Sequence, residues 1–199
     1  MRDLEIRGAG NLLGAEQSGH MTDVGYDMYL KLLEEAVLEE RGIKTEKRAE
    51  CAADLAVSAN IPERYVSSAE IRMDLYRRIA LIRTEEEADD LTDELIDRFG
   101  DPPSAVNALI HVALLRGEAT GAGIADISQK GGFIRFVLTD FDMARVSELY
   151  AMSKYKGRVK VEAAAKPTLS LKLQSTKGVI DVARQFVADW KSTDLKASP

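Results

Sequence analysis

Cysteine is almost missing from this chain, and the single Cys51 among 199 residues excludes an internal disulfide and any thiolate metal cluster. That usage fits a reducing compartment. Histidine is nearly as scarce: His20 and His111 are the only two, and neither has a Cys or an acidic motif beside it at metal-ligand spacing, so no metal site is expected. No apolar run approaches 20 residues, and Met1 is followed at once by Arg2 and Asp3, so neither a membrane span nor a signal peptide is expected and the cytoplasm is the natural location. Phosphate-binding signatures are missing too. Gly8-Ala9-Gly10 begins a glycine pattern, but Leu13 stands where a third glycine would be needed, and no Lys-Ser or Lys-Thr pair follows. Without a P-loop, an acidic magnesium motif or a nucleophile paired with a base, the chain is expected to have no catalytic residues, no chemistry of its own and no cofactor.

What is present is the composition of a folded protein, with 45% hydrophobic and 30% charged residues. The length suits one domain with an appendage or two small domains. The net charge of −6 conceals an uneven distribution. Lys plus Arg against Asp plus Glu is 7 to 10 in residues 1–48, 8 to 16 in residues 49–130 and 12 to 7 in residues 131–199. An acidic middle cannot neutralise phosphates and is a poor surface for duplex DNA; it suits a basic protein partner.

Periodicity places the elements. Leu4 and Ile6 alternate with polar residues ahead of a shaped loop containing Gly8, Gly10, Gly14 and Gly19. From Asp23, the positions of Tyr26, Tyr29, Leu33, Ala36 and Val37 predict an amphipathic helix stopped by Gly42, and residues 42–48 read as a charged linker. Residues 49–58 alternate as a half-buried strand with Cys51 on its apolar side, a packed thiol rather than a nucleophile. Ser67 with Glu70 matches a capping box, opening a helix with Ile71, Leu75, Ile79 and Ile82 inward and Asp74 within reach of Arg77 or Arg78. Thr84 with Glu87 is a second capping box, for a helix with Ala88, Leu91, Leu95 and Phe99 on one side and Gly100 at its end. Asp101-Pro102-Pro103 restarts the chain into a third helix carrying Val106, Leu109, Ile110 and Ala113, which ends near Gly121 and Gly123.

Strands then take over. Residues 124–128 and 133–138 flank a glycine turn at residues 129–132, residues 143–152 read as a short helix, residues 159–162 and 168–173 as a second strand pair, and residues 179–191 as a last helix with Val179, Val182, Phe186 and Trp190 inward. The expected fold class is α+β: amphipathic helices packed on a small, mainly antiparallel sheet, preceded by a loop-and-helix segment.

Two charged features bear on function. On the second capped helix, Glu86, Asp90, Glu94 and Asp97 form one stripe at i+4, i+4 and i+3, with Asp93 beside it. The later carboxylates gain nothing from the helix dipole, and the repulsion among them costs a few tenths of a kcal/mol per pair. With only Arg98 as a local counter-ion, the stripe is either a solvated face or a surface for an external cation, and replacing Glu94 and Asp97 by alanine should leave stability unchanged or slightly higher. The second feature is Lys154, Lys156, Arg158 and Lys160 beside Tyr155. It is open to two readings, a small nucleic-acid-binding module or an edge strand guarded by lysine.

The run RDLEIRGAGNLLGAEQSGH at residues 2–20, continuing through VGYDMYLKLLEEAV at residues 24–37, closely resembles the translocation motif of the bacterial transcription-repair coupling factors. RMDLYRRIA at residues 72–80, ELIDRFG at 94–100 and KGG at 130–132 resemble the C-terminal domain of the same family, in the same order. The resemblance implies a parent that is an ATP-dependent DNA translocase, binding ATP and magnesium elsewhere, contacting duplex DNA and displacing stalled RNA polymerase to recruit excision repair. It puts Arg7 and Gln17 on the two polar positions that couple the motor to movement. The helical hairpin upstream of that loop is expected to be missing, so the motif is present in part. Residues 1–48 would be the tail of the translocase module, residues 49–192 a C-terminal regulatory domain and residues 193–199 a frayed tail. In the family this domain docks on the N-terminal repair-protein-like module and hides the surface that recruits the damage-recognition ATPase UvrA. The resemblance implies that Glu94 and Asp97, with Asp90 one turn away, make that docking contact.

Overall fold

A computed structural model describes residues 50–194 of the chain. The expected coupling residues Arg7 and Gln17, the helix from Asp23 and the linker at 42–48 lie outside the described residues. The structure has strands β1 (Ala52–Asp54), β2 (Ile124–Lys130), β3 (Phe133–Leu138), β4 (Val159–Glu162) and β5 (Thr168–Lys172). Its helices are α1 (Ala69–Ala80), α2 (Glu85–Phe99), α3 (Ser104–Gly121), α4 (Met143–Ala151) and α5 (Val179–Asp194), with a 3-10 turn at Ser153–Tyr155. The α+β class expected from the sequence is the one observed.

The strands form one sheet in the order β1-β2-β3-β5-β4, antiparallel except where β1 lies parallel to β2. A parallel pair needs a crossover, and α1, α2 and α3 together supply it. At the β2–β3 hairpin, Lys130 pairs with Phe133, so the loop is only Gly131-Gly132 and is tighter than the turn expected at 129–132. Both glycines have positive φ, 56° and 79°, as a type I′ turn requires to match strand twist. The strand predicted over residues 49–58 is cut to three residues. Its alternation survives, with Cys51, Ala53 and Leu55 buried, but Val57 N–H donates to the Leu55 carbonyl at 2.8 Å and Ala56 N–H to the Gln129 side chain at 3.0 Å. That three-residue turn takes the backbone out of the ladder.

Both predicted helix starts are present, with one change. Ser68, not Ser67, caps α1, its hydroxyl accepting from Ile71 N–H at 3.3 Å. Thr84 and Glu87 make the full reciprocal box on α2. Glu87 N–H donates to Thr84 Oγ1 at 3.2 Å and Thr84 N–H to Glu87 Oε2 at 3.1 Å. At the other end Gly100 adopts φ 80°, which releases the chain from the helix. α5 runs past the boundary expected at 192, because Thr193 is fully buried and its hydroxyl donates to the Trp190 carbonyl at 2.6 Å.

The apolar residues gather in two cores. One is built by α1, α2 and α3 around Leu75, Ile79, Leu91, Leu95, Leu109 and Ile110. The other lies between the sheet and helices α3, α4 and α5, where the Phe136 and Phe186 rings stack at 4.2 Å between centroids. Helix α3 belongs to both. Val106, Leu109, Ile110, Ala113 and Leu114 face the helical core, while Val112, Leu115 and Ala119 face the sheet core. The single apolar face expected for this helix was therefore too narrow.

One consequence is testable at Gly117, inside α3. Alanine normally stabilises a helix interior by about 0.8–1.0 kcal/mol over glycine. A Cβ at Gly117 would sit 2.9 Å from Arg83 Cα and 3.1 Å from the Arg83 carbonyl oxygen, backbone atoms that cannot swing aside. Gly117→Ala is expected to destabilise by about 1–3 kcal/mol, the scale of overpacking, seen as a lower urea midpoint.

Candidate docking face on the acidic helix

The outer side of α2 follows from its inner side. Ala88, Leu91 and Leu95 are buried, and this directs Glu86, Asp89, Asp90, Asp93 and Asp97 to solvent. Asp90 and Asp97 are fully on this exposed side, with no ion pair among the described residues. At the margin of this acidic side, beside Asp89 and Asp93 on the helix surface, Ile96 is a large apolar side chain left 42% exposed. The helix is held firmly beneath them. Arg98 lies over the Phe99 ring at 5.0 Å, Phe99 meets Tyr65 edge-on, and the Tyr65 hydroxyl donates to the Gly100 carbonyl at 2.8 Å.

Glu94 is different from its neighbours. Arg78, in the last turn of α1, grips it with both guanidinium nitrogens, one at 2.8 Å from Oε1, and Arg98 donates to Oε1 at 2.6 Å. These hydrogen bonds, Arg78 first, hold the Glu94 carboxyl down at about 2. Arg98 is thus not the only local counter-ion, which corrects the sequence reading. The second cation comes from the neighbouring helix, and the expected Asp74 pairing leaves only a weaker electrostatic influence on Arg78. Alanine at Glu94 would break a bridge between α1 and α2, so the expectation of unchanged stability is retained for Asp97 alone.

The basic segment looks different in three dimensions. Tyr155 is buried, its ring edge-on to Phe186 at 5.3 Å and its hydroxyl donating to Asp189, whose charge together with burial keeps the phenol protonated. Lys154 pairs with the same Asp189 at 2.6 Å, and the Arg158 guanidinium donates to the Lys154 and Lys172 carbonyls. The aromatic ring that suggested base stacking is unavailable for it. His111 is exposed on α3. No helix of the described residues is long and apolar enough to cross a membrane.

A capped acidic helix on a three-helix lobe, joined through a shared helix to a mixed sheet, defines an α+β domain with a charged outer helix face. Residues 55–149 match the TRCF domain family. The chain is 36% identical over 191 residues to the transcription-repair-coupling factor of Staphylococcus epidermidis, covering 94% of this chain and 16% of that protein. It is 38% identical over 162 residues to the transcription-repair-coupling factor of Bacillus subtilis, covering 79% of this chain and 14% of the relative. The chain therefore spans about a sixth or less of these relatives' length. A solved structure of the C-terminal domain of transcription-repair coupling factor superposes with a TM-score of 0.65 at 18% identity, covering 75% of this chain and 96% of that one. The chain belongs to the transcription-repair coupling factor family, and its described part has the fold of the C-terminal domain.

The Glu94 bridge sets a pH dependence whose sign is fixed by the downward shift. Its contribution is complete above the ordinary carboxylate value of 4.5 and is lost as pH falls toward about 2. Glu94→Gln is expected to lower stability by ~0.2–1 kcal/mol at pH 7, the scale of a solvent-accessible pair, with the gap closing by about pH 2. Urea titrations of both proteins at the two pH values read this directly, and a gap that persists unchanged in acid would mean that the ion pair is not its source.

Proposed function

We propose that this chain is the regulatory tail of a bacterial DNA translocase that couples stalled transcription to excision repair, and that the outer side of α2 docks it on a basic, repair-protein-like module of the same parent. The observation that carries the reading is the exposed acidic side of α2 formed by Asp90, Asp93 and Asp97, with the exposed Ile96 along its margin beside Asp89 and Asp93. Interfaces combine an apolar centre with charged groups at the rim that set register and exclude wrong partners. Glu94 contributes indirectly in this scheme: clamped by Arg78 and Arg98, it orients the stripe, and a cation of the partner would share its outer oxygens. Docking would cover the surface through which the parent recruits UvrA and so keep the repair function silent until the domain lets go. In the family-based scheme the parent binds ATP and magnesium in its motor and contacts RNA polymerase and duplex DNA in the cytoplasm. The C-terminal domain itself supplies no chemistry.

In the full parent, Asp97→Lys is expected to weaken docking roughly tenfold or more, because like charges facing each other across an interface cost several kcal/mol. Capture of UvrA should rise correspondingly, while the isolated chain keeps its melting temperature. A mutant that captures no more UvrA than the wild type would remove the docking role from this face.

Arg7 and Gln17, ahead of the described residues, belong to the same proposal. Arg7→Ala or Gln17→Ala in the complete motor is expected to reduce movement on DNA more than ATP hydrolysis, since groups that transmit motion need not touch nucleotide. Triplex displacement measured beside phosphate release tests this, and equal loss of both activities would count against a coupling role.

A further inference from the structure

The sheet has a second face that no helix among the described residues covers. Along β3, Ile134, Phe136 and Leu138 point into the core, so Phe133, Arg135 and Val137 point away from it. The register lines up neighbours on that outer side. Lys130, Phe133 and Lys172 form one row across β2, β3 and β5, and Ser128, Arg135, Ser170 and Lys160 form the next across β2, β3, β5 and β4. The two rows enclose a shallow depression lined by Lys130, Phe133, Arg135, Lys160, Glu162 and Ser170. Phe133 is half-buried in its floor, and the Lys160 ammonium sits 5.2 Å from the ring centroid. Arg135 leans toward Glu162 at 3.8 Å, whereas Lys130, Lys160 and Lys172 make no ion pair among the described residues.

We infer that this outer sheet face is a binding site for single-stranded nucleic acid, with one base stacked on Phe133 and the flanking phosphates held by Lys130, Lys160, Lys172 and Arg135. Charge complementarity points to a polyanion, since Lys130, Lys172, Arg135 and Lys160 stand in two adjacent rows around Phe133, while the carboxylates of that face lie at its margin, Asp54 on the β1 edge and Asp126 and Glu162 in the next row. The ring selects among polyanions. A flat aromatic floor between cations gives a base a stacking partner and its backbone a counter-charge, a combination an acidic peptide does not need. Duplex DNA keeps its bases stacked inside and cannot offer one to a ring set in a flat sheet. Lys160 acts as a displaceable cover: its contact with the ring is a cation–π interaction that a base replaces, freeing the ammonium for a phosphate. A lysine that only guards the β4 edge against strand pairing accounts for Lys160 but not for Lys130 and Lys172, which lie on inner strands. The site is independent of the docking role of α2.

The test is fluorescence anisotropy of a labelled twelve-nucleotide oligothymidine with the full 199-residue chain, read across 50–200 mM salt. With three or four phosphates neutralised, the slope of log affinity against log salt should be about −2 to −3. Phe133→Leu, which keeps an apolar side chain in the sheet, should weaken binding about tenfold without changing that slope. Lys160→Glu should lower affinity and flatten the slope by about 0.7 or more, and a duplex of the same length should bind at least about tenfold more weakly. Lys154→Glu with Lys156→Glu, outside the depression, should have little effect. Equal melting temperatures establish that each variant is folded. The inference is overturned if the oligonucleotide does not bind at 50 mM salt, if Phe133→Leu binds as well as wild type, if the Lys154/Lys156 pair alone carries binding, or if a polyglutamate peptide of equal charge competes as effectively.

Discussion

Everything in this domain depends on burying α3 from both sides. Helices of soluble proteins usually keep one polar face for water, but α3 places nine buried residues around its circumference. One of them, Arg116, is charged, and burying a charge without partners would cost several kcal/mol. Its guanidinium donates to the Cys51 carbonyl at 3.0 Å and lies 3.6 Å from Glu50, at the point where the chain comes into the domain. Thr120, one turn later on the helix, accepts from Cys51 N–H at 2.9 Å. The short parallel strand β1 is therefore held by α3 as much as by β2. A three-residue edge strand would otherwise be marginal.

Ion pairs follow the same plan, adding cross-links within each core and, through Arg184, from α5 to α2 between the two. Arg184 on α5 meets Glu118 on α3 with bonds of 3.0 and 2.7 Å and also reaches Glu85 in the first turn of α2. Arg83, between α1 and α2, reaches Glu50. Arg78 links α1 to α2 through Glu94. Each is partly solvated and contributes little alone, so these bridges act mainly to fix orientation. The α2 carboxylates used in this way, Glu85 and Glu94, sit in its first turn and at its junction with α1. Those left over among the described residues, Glu86, Asp89, Asp90, Asp93 and Asp97, are the ones with no internal duty, and this division separates structural from available charge on a helix that looks uniformly acidic in sequence.

The sequence revealed local features far better than pairings between distant residues. The Thr84–Glu87 box, the Gly100 stop, the hairpin glycines and the strand pair at 159–162 and 168–172 are set by contacts within a few residues, and all are present. The acidic stripe was visible because helical spacing alone defines it. Three features were hidden because they depend on tertiary partners. Spacing put Asp74 within reach of Arg77 or Arg78, and nothing in it reveals that Glu94 will lie across the helix junction from Arg78. Tyr155 was grouped with the lysines beside it, although the apolar stripe of α5 carries Phe186 and draws the ring inward. The outer sheet row of Lys130, Phe133 and Lys172 joins residues from three strands and could be read only once the register was known.

The two faces open to partners stand on opposite sides of the shared helix. Successive residues of an α-helix turn by about 100°, so the group at 106, 109, 110, 113 and 114 and the group at 112, 115 and 119 lie on the order of half a turn apart on α3. The first group carries the lobe whose outer side is the acidic stripe, and the second carries the sheet whose outer side is the basic depression. Neither surface can block the other by direct overlap. Because α3 is close-packed in both cores, it has no room to tilt within one without opening a cavity in the other. The domain should therefore present its acidic and basic faces at a fixed mutual angle. An orientation set this rigidly lets one domain be anchored by its acidic side while its basic side remains open to a second partner.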